Sequence, residues 1–147
     1  MLSFDTNILV YASDPGAGLR HTTAVNLLAT AASGDAALTE QSLIEFLNVA
    51  RRKQKRPFNE AAELVRTWLT NFRLLTTPTT IVEDTLSLLR FHRLEVWDAH
   101  MLAICASYGC DFLFSEDMTD GGRYGEVEVL NPFNPSNARR VAELLLP

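Results

Sequence analysis

Short apolar segments alternate with longer helical patterns along most of this chain, and this alternation limits the folds open to it. Four segments have the length and composition of buried strands, at residues 2–4, 36–38, 72–75 and 112–114. Helical patterns fill the intervals, at about 19–33, 40–53, 59–70, 79–92 and 97–108. Strands separated by helices favour a parallel sheet that is covered on both faces. We therefore predict an α/β fold of three layers, α/β/α, with a central, mainly parallel sheet.

Finer features are expected in the second helix and near the end of the chain. The stripe of the 19–33 helix that faces the core is predicted to consist of Leu19, Thr23, Leu27, Leu28 and Ala31. Residues 127–130 alternate in hydrophobicity, which predicts an edge strand. A last amphipathic helix is predicted through Leu146.

Length and composition favour one soluble domain spanning residues 1–147. A chain of 147 residues buries roughly 68–70% of the surface that it exposes when unfolded. It has no run of about 18 uncharged apolar residues, so no membrane span is expected. The first five residues lack the order of a signal peptide, because Asp5 interrupts them, and a cytoplasmic location is expected. Cys105 and Cys110 are expected to be reduced thiols in the core.

The charges are unevenly distributed along the chain. Residues 83–128 hold ten acids against three arginines, whereas residues 51–56 hold five of the thirteen cations. We call these five the basic cluster: Arg51, Arg52, Lys53, Lys55 and Arg56. One interpretation is a solvated helix end that the helix dipole favours. The other is a cationic rim beside an acidic centre, as phosphodiester chemistry would need.

Four acids stand out in the sequence, and a purely structural role would explain the position of each one considered alone. Asp5 directly follows the first strand and could cap the next helix, accepting from the amides of Asn7 or Ile8. Asp98 lies in the first turn of its helix, where the dipole favours a carboxylate. Asp117 could be a solvated turn acid. Glu45 lies in an apolar stretch of helix, which predicts a partly buried carboxylate in need of a partner.

Taken together, the same four acids predict a metal site at one edge of the sheet. Asp5 and Asp117 follow strands, and open α/β sheets bind ligands beyond the carboxyl ends of their strands. Asp98 and Glu45 lie near helix ends that face this edge. Neighbouring carboxylates repel unless they are protonated or neutralised. Oxygen ligands without His or Cys pairs favour Mg²⁺ or Mn²⁺.

That site suits metal-assisted hydrolysis of a phosphodiester bond. Asp5 and Asp98 are the predicted direct ligands. Glu45 or Asp117 would complete the shell through water, or orient and deprotonate the nucleophile. His100, two residues after Asp98, is expected on a different side of its helix.

Several motifs around these acids occur in a fixed order over nearly the whole chain. They are residues 4–11, 39–46, 96–99, 114–118 with Asp120 and Gly121, and 127–133. In this combination the chain resembles PIN-domain ribonucleases and, within that family, the VapC-type toxins of bacterial toxin–antitoxin pairs. His100 departs from the family pattern, because an aliphatic residue is usual at this position.

The resemblance implies a single PIN domain over residues 1–147 and an Mg²⁺- or Mn²⁺-dependent endoribonuclease. A cognate antitoxin would inhibit it, and two copies would form a homodimer. The apolar helices 59–70 and 79–92 could supply the dimer surface or could be part of the core. The acidic site would consist of Asp5, Glu45, Asp98 and Asp117. Its supporting polar groups would be Asn7 and Ser115, with Glu116 and Asp120 as alternatives for the fourth acid.

Other classes of protein also fit part of the pattern. Response-regulator receivers and aspartate-nucleophile phosphatases have an Asp after the first strand. They also need a late lysine, and the chain's only lysines are Lys53 and Lys55. The phosphatases have a second Asp where this chain has Asn7. A PIN nuclease of RNA processing and a non-catalytic RNA- or protein-binding module remain as alternatives.

Overall fold

The structure, a computed structural model, describes residues 1–145 and shows helices alternating with strands through most of that range. Its strands are β1 (Leu2–Phe4), β2 (Ala36–Thr39), β3 (Arg73–Leu75), β4 (Phe112–Phe114), β5 (Arg123–Tyr124) and β6 (Val127–Leu130). Its α-helices are α1 (Thr6–Ser13), α2 (Leu19–Ala31), α3 (Glu40–Arg52), α4 (Phe58–Asn71), α5 (Ile81–Phe91), α6 (Val96–Ser107) and α7 (Ala138–Leu144). The predicted α/β class is confirmed.

The strands form one sheet in the order β3-β2-β1-β4-β6-β5. Neighbouring strands are parallel except β5 and β6, which pair antiparallel. The chain moves outward from β1 in one direction through β2 and β3, and then returns to the other side of β1 to form β4. Phe4 and Phe114, the last residues of β1 and β4, are in register. The residues that follow these two strands therefore leave the sheet side by side, at a position where such folds bind ligands.

Successive residues of the central strands point to opposite faces and enter two hydrophobic clusters. Phe4, Leu38 and Phe114 pack with α1, α2, α3 and α4 on one face. Ala37 and Leu113 pack with α6 on the other face. The rings of Phe4 and Phe114 meet edge to face, with centroids 5.7 Å apart. Helices on both faces of the sheet confirm the three-layer α/β/α prediction.

The position of β6 in the sheet differs from the predicted edge strand. β6 lies between β4 and the two-residue strand β5, and all four of its residues are buried. A strand as short as β5 has no periodicity that a sequence pattern can detect. Glu128, which makes the segment appear to alternate, is buried because Arg140 and Arg123 cover its carboxylate.

The buried face of α2 also differs from the prediction at its first residue. Leu19 is 87% exposed, whereas Ala24, Leu27, Leu28 and Ala31 are buried. Leu19 begins the helix directly after the turn at Gly18, before the helix meets the core. At the other end of the chain, α7 ends at Leu144, and the predicted extension to Leu146 lies outside the described residues.

Two chemical expectations can be compared with the described residues. Cys105 and Cys110 are buried free thiols, as predicted. Across residues 1–145, no helix combines the length and the apolar character needed to cross a membrane. The assignment of residues 1–147 to one domain stays a prediction.

The Glu128–Arg140 pair carries a prediction about stability. Arg140 donates to both oxygens of Glu128, over 2.5 and 2.8 Å. We expect Arg140→Ala to lower the free energy of unfolding by about 1–2 kcal/mol at pH 7, because Glu128 keeps only its weaker contact with Arg123. Arg139→Ala, which removes an exposed pair with Glu143, should cost less than about 0.5 kcal/mol. Urea unfolding measures both variants.

The decrease in the free energy of unfolding caused by Arg140→Ala should depend on pH. The hydrogen bonds from Arg140, followed by its positive charge, lower the pKa of Glu128 below the ordinary value of 4.5. The pair therefore contributes fully above pH 4.5 and is lost as pH falls through the lower pKa of the folded state. A difference between the wild type and Arg140→Ala that stays the same at pH 3 and pH 7 would contradict this assignment.

Candidate active site

Asp5 is a buried carboxylate directly after β1. Its Oδ1 atom accepts from the Thr6 backbone amide over 2.6 Å. Its Oδ2 atom accepts from Ser115 Oγ over 2.5 Å and from Asn7 Nδ2 over 3.0 Å. Asp5 does cap α1, but the amide that it binds is that of Thr6 and not the predicted amides of Asn7 or Ile8. The Ile8 amide donates to the backbone carbonyl of Asp5 instead.

Asp117 reaches the same place from the end of β4. Asn7 Nδ2 lies 3.1 Å from Asp117 Oδ2, so one amide group bridges Asp5 and Asp117. The backbone amide of Asp117 donates to Ser115 Oγ over 3.2 Å, which fixes the turn after β4. Asn7 and Ser115, the supporting groups that the resemblance implies, therefore lie between the two acids.

Glu45 faces these residues from the second turn of α3. Thr39 caps this helix by accepting from the Ser42 amide over 3.0 Å, so α3 begins directly after β2. Thr6 Oγ1 donates to Glu45 Oε2 over 2.6 Å, and Gln41 Nε2 donates to Glu45 Oε1 over 2.8 Å. Each oxygen of this half-buried carboxylate thus accepts one hydrogen bond from a neighbouring side chain.

Sequence reasoning missed Thr6 and Gln41. Gln41 stands four residues before Glu45 on a helix, a spacing that places both side chains on one face, and this signal could have found it. Thr6 contacts Glu45 across a separation of 39 residues, and no local pattern reports such a contact.

Asp98 lies in the first turn of α6, close to the other three acids. Burial raises its pKa, and the negative charges of Asp117, Glu95 and Glu45 raise it further. Asp98 and Asp117 line one groove of about 450 Å³, together with Arg93. Glu45 lines a neighbouring groove of about 750 Å³. Acids from both grooves therefore raise the pKa of Asp98.

The pKa of Asp5 reflects first its burial and then the charges of the neighbouring acids. Burial raises the pKa of Asp5 to about 6, although hydrogen bonds from Ser115 and Thr6 act to lower it. The charges of Asp117 and Asp98 raise this pKa further. Asp5, Glu45, Asp98 and Asp117 therefore act on one another, as expected for carboxylates that share a site.

Glu116 and Asp120, the alternatives for the fourth acid, have other partners. Glu116 accepts from Tyr11 Oη over 2.6 Å and pairs with Arg20. Asp120 accepts from the backbone amide of Asn131 and from two further asparagine side chains. Neither acid is among the charges that shift the pKa of Asp5 or Asp98. The geometry favours Asp117 as the fourth member of the cluster.

His100 and Asp98 line different grooves, as predicted for residues two apart on one helix. His100 lines the groove of Glu45, beside Trp97, whereas Asp98 lines the groove of Asp117. The Nδ1 atom of His100 is in hydrogen-bond contact with Gln41 Oε1. Gln41 also donates to the carbonyl oxygen of Trp97, so His100 lies on the side of α6 that contacts α3.

The donors of this site fit a hard divalent cation. All four acids supply carboxylate oxygens, and the Asn7 Oδ1 atom is buried without a hydrogen-bond partner. Among residues 1–145, no three His, Cys, Asp or Glu side chains stand together as a ready metal-binding group. Mg²⁺ commonly binds through one or two carboxylates and keeps several waters, so Asp5 and Asp98 fit it without a third direct acid.

Solved structures share this fold. Mycobacterium tuberculosis VapC20, described as a Sarcin-Ricin loop cleaving toxin, is 21% identical, with a TM-score of 0.66 over 87% of this chain and 99% of that chain. A toxin–antitoxin complex from Klebsiella pneumoniae is 21% identical, with a TM-score of 0.64 over 90% and 98%. VapBC2 from Rickettsia felis, bound to a promoter DNA fragment, is 15% identical, with a TM-score of 0.63 over 88% and 97%. No curated protein gives a significant sequence match.

A sequence model of a known family covers most of the chain. The match is to the PIN domain, and it spans residues 3–118. That range runs from the second residue of β1 through β4 and holds all four of the clustered acids. The predicted resemblance to PIN domains is thus confirmed at the level of the family. The chain belongs to the PIN domain family.

Proposed function

We propose that this protein is an Mg²⁺- or Mn²⁺-dependent endoribonuclease that serves as the toxin of a toxin–antitoxin pair. The observation that carries the proposal is the convergence of Asp5, Glu45, Asp98 and Asp117 where β1 and β4 end, with the pKa of Asp5 raised to about 6. Such a cluster is costly to the folded protein, and a bound divalent cation would offset that cost.

Each residue has a role in this proposal. Asp5 and Asp98 hold the cation, which when bound supplies Lewis-acid catalysis to phosphodiester hydrolysis. Glu45, held by Thr6 and Gln41, orients the attacking water and accepts its proton. Asn7 and Ser115 keep Asp5 and Asp117 in place. The buried position of Asp5 limits its access to bulk water.

Cations on both sides of the acids suit a nucleic-acid backbone. Arg93 is exposed in the groove of Asp98 and Asp117, and it forms no ion pair within the described residues. On the other side, the groove of Glu45 and a groove lined by Arg51 share the residue Asn48. Arg51, Arg52, Lys53 and Lys55 are exposed, and these members of the basic cluster can contact phosphates.

One member of the basic cluster has a structural role instead. Arg56 donates to the Ser13 carbonyl oxygen and pairs with Glu60 over 3.4 Å. Its side chain connects the segment after α3 to the end of α1. The proposed contact with RNA therefore rests on the four exposed cations and on Arg93.

Partners are proposed from the structural relatives. One of them is described as a Sarcin-Ricin loop cleaving toxin and another as a toxin–antitoxin complex, which supports an RNA substrate and a cognate antitoxin for this chain. A homodimer is proposed because α4 and α5 expose large apolar side chains: Phe58, Leu69, Val82, Leu86 and Phe91. The proposed location is the cytoplasm, where RNA and antitoxin are found.

Expression in bacteria tests the toxin assignment. We expect that induction of the wild-type protein arrests growth, whereas induction of Asp98→Asn at the same soluble level does not. Co-expression of a cognate antitoxin, sought among short genes that neighbour this one, should relieve the arrest because the antitoxin would occupy the site. Optical density and soluble protein are measured together after induction.

Unaffected growth at a high level of soluble wild-type protein would contradict the toxin assignment. A nuclease of RNA processing would then be favoured if the purified protein cleaves RNA. A non-catalytic binding module would be favoured if it does not.

A further inference from the structure

Gln41 is a buried amide that joins the helices carrying two of the four acids. Its side chain lies in the first turn of α3 and the residue is 8% exposed. The Nε2 atom donates to Glu45 Oε1 over 2.8 Å and to the carbonyl oxygen of Trp97 over 2.9 Å. Trp97 immediately precedes Asp98 in α6. The carboxamide therefore ties the Glu45 side chain to the backbone next to Asp98.

Three contacts fix the orientation of this carboxamide. Both protons of the nitrogen are used, one on a carboxylate and one on a carbonyl oxygen. The Oε1 atom contacts His100 Nδ1, which must carry the proton and donate it. Turning the amide by 180° would place its oxygen against two acceptors, which is unfavourable. His100 thus holds Gln41 in the one orientation that supports Glu45.

Resting on the proposed nuclease function, we propose that Gln41 is a positioning residue for Glu45 and that His100 fixes Gln41. Glu45 has one donor on each oxygen, Thr6 on Oε2 and Gln41 on Oε1. Loss of the second donor would let the carboxylate rotate about the remaining bond to Thr6. It would also remove the side-chain link between Glu45 and the first turn of α6.

The same hydrogen-bond network gives His100 a structural role. An aliphatic side chain at position 100 could not donate to Gln41 Oε1. Gln41 and His100 therefore form a pair whose members depend on each other. The ring of His100 also meets Trp97 edge to face, with centroids 5.6 Å apart, which limits its movement.

Kinetics of purified variants test the proposal. We expect Gln41→Leu to lower kcat for RNA cleavage about 10–100-fold, the range typical for residues that orient a ligand or catalytic group, with KM within about twofold. His100→Leu should lower kcat less than Gln41→Leu does. His100→Gln should recover part of the loss seen in His100→Leu, because the glutamine amide can donate to Gln41 Oε1. Asn26→Leu, which removes an exposed amide on α2, is the matched control and should behave as wild type.

The double variant Gln41→Leu/Glu45→Gln separates positioning from general damage. If Gln41 acts through Glu45, the double variant cleaves no more slowly than Glu45→Gln alone. A further loss of about tenfold would overturn the proposal, as would wild-type kcat in a folded Gln41→Leu protein.

Nuclear magnetic resonance supplies a readout that does not need activity. The side-chain amide of Gln41 should give one pair of signals that exchange slowly and shift in Glu45→Gln. Rapid exchange without a shift would overturn the positioning role. If the wild type cleaves no RNA, the proposed nuclease function fails, while this measurement still decides whether Gln41 holds Glu45.

Discussion

Asp98→Asn is expected to lower RNA cleavage by about 1000-fold while the protein stays folded. The substitution removes one of the two carboxylates proposed to hold the cation, and with it charge stabilisation that acts on the reacting phosphate. The fold should tolerate the change because burial and the charges of Asp117, Glu95 and Glu45 already raise the pKa of Asp98. Initial rates on a labelled RNA, with circular dichroism of the same sample, measure both effects.

Glu95→Gln is the matched control for Asp98→Asn. Glu95 lines the same groove and also raises the pKa of Asp98, but it has no proposed role in holding the cation. We expect its cleavage rate to stay within about threefold of wild type, since its effect is that of a nearby exposed charge. Equal losses in the two variants would show that Asp98 acts only through the general charge of the groove, and would remove it from the proposed ligands.

Asp5→Asn is expected to make the metal-free protein more stable at neutral pH. The pKa of Asp5 rises from 3.8 to about 6 on folding, because the folded state buries the carboxylate near other acids. A folded-state pKa above the unfolded value means that ionised Asp5 costs stability above pH 6. The cost fades as pH falls from 6 towards 3.8 and the folded protein takes up a proton. The amide removes this cost but keeps only one of the two acceptor oxygens, so the expected net gain is about 1 kcal/mol at pH 8.

Urea unfolding in a chelator, at pH 5 and pH 8, measures this effect. The gain from Asp5→Asn should be smaller at pH 5, while Glu126→Gln, an exposed acid, should change little at either pH. Added Mg²⁺ should then raise the melting temperature of the wild type and leave Asp5→Asn nearly unchanged, since a ligand stabilises only the state that binds it. A less stable Asp5→Asn protein that responds to Mg²⁺ as the wild type does would contradict the proposed role of Asp5.

The sequence could predict the carboxyl edge of the sheet because its signals are local. Asp5 follows an apolar strand directly, and Asp117 follows another after two residues, so both belong to the same edge once the strands are parallel. The alternation of strands and helices is what indicated that the strands are parallel. β5 was not predicted because a strand of two residues has no detectable period. Without β5, the interior position of β6 could not be predicted either.

Contacts between distant helices were beyond the reach of the sequence. Gln41 and Glu45 share a helix face, which a spacing of four residues predicts. The contact of Gln41 with His100, 59 residues away, depends on how α3 and α6 approach each other. For the same reason, the sequence could not decide which of Asp117, Glu116 and Asp120 is the fourth acid of the site. Glu116 is bound by Arg20 and Tyr11, and Asp120 is bound by asparagines. None of these partners is adjacent in the sequence to the acid that it binds.

Cleavage of RNA by the purified protein, with and without a divalent cation, tests the central proposal most directly. Total bacterial RNA is incubated with the wild-type protein in Mg²⁺, in Mn²⁺ and in a chelator, and the new ends are mapped by sequencing. We predict cleavage at discrete positions with either cation, none in the chelator, and about 1000-fold less cleavage for Asp98→Asn with Mg²⁺. Intact RNA under all conditions, or equal cleavage by the wild type and Asp98→Asn, would contradict it.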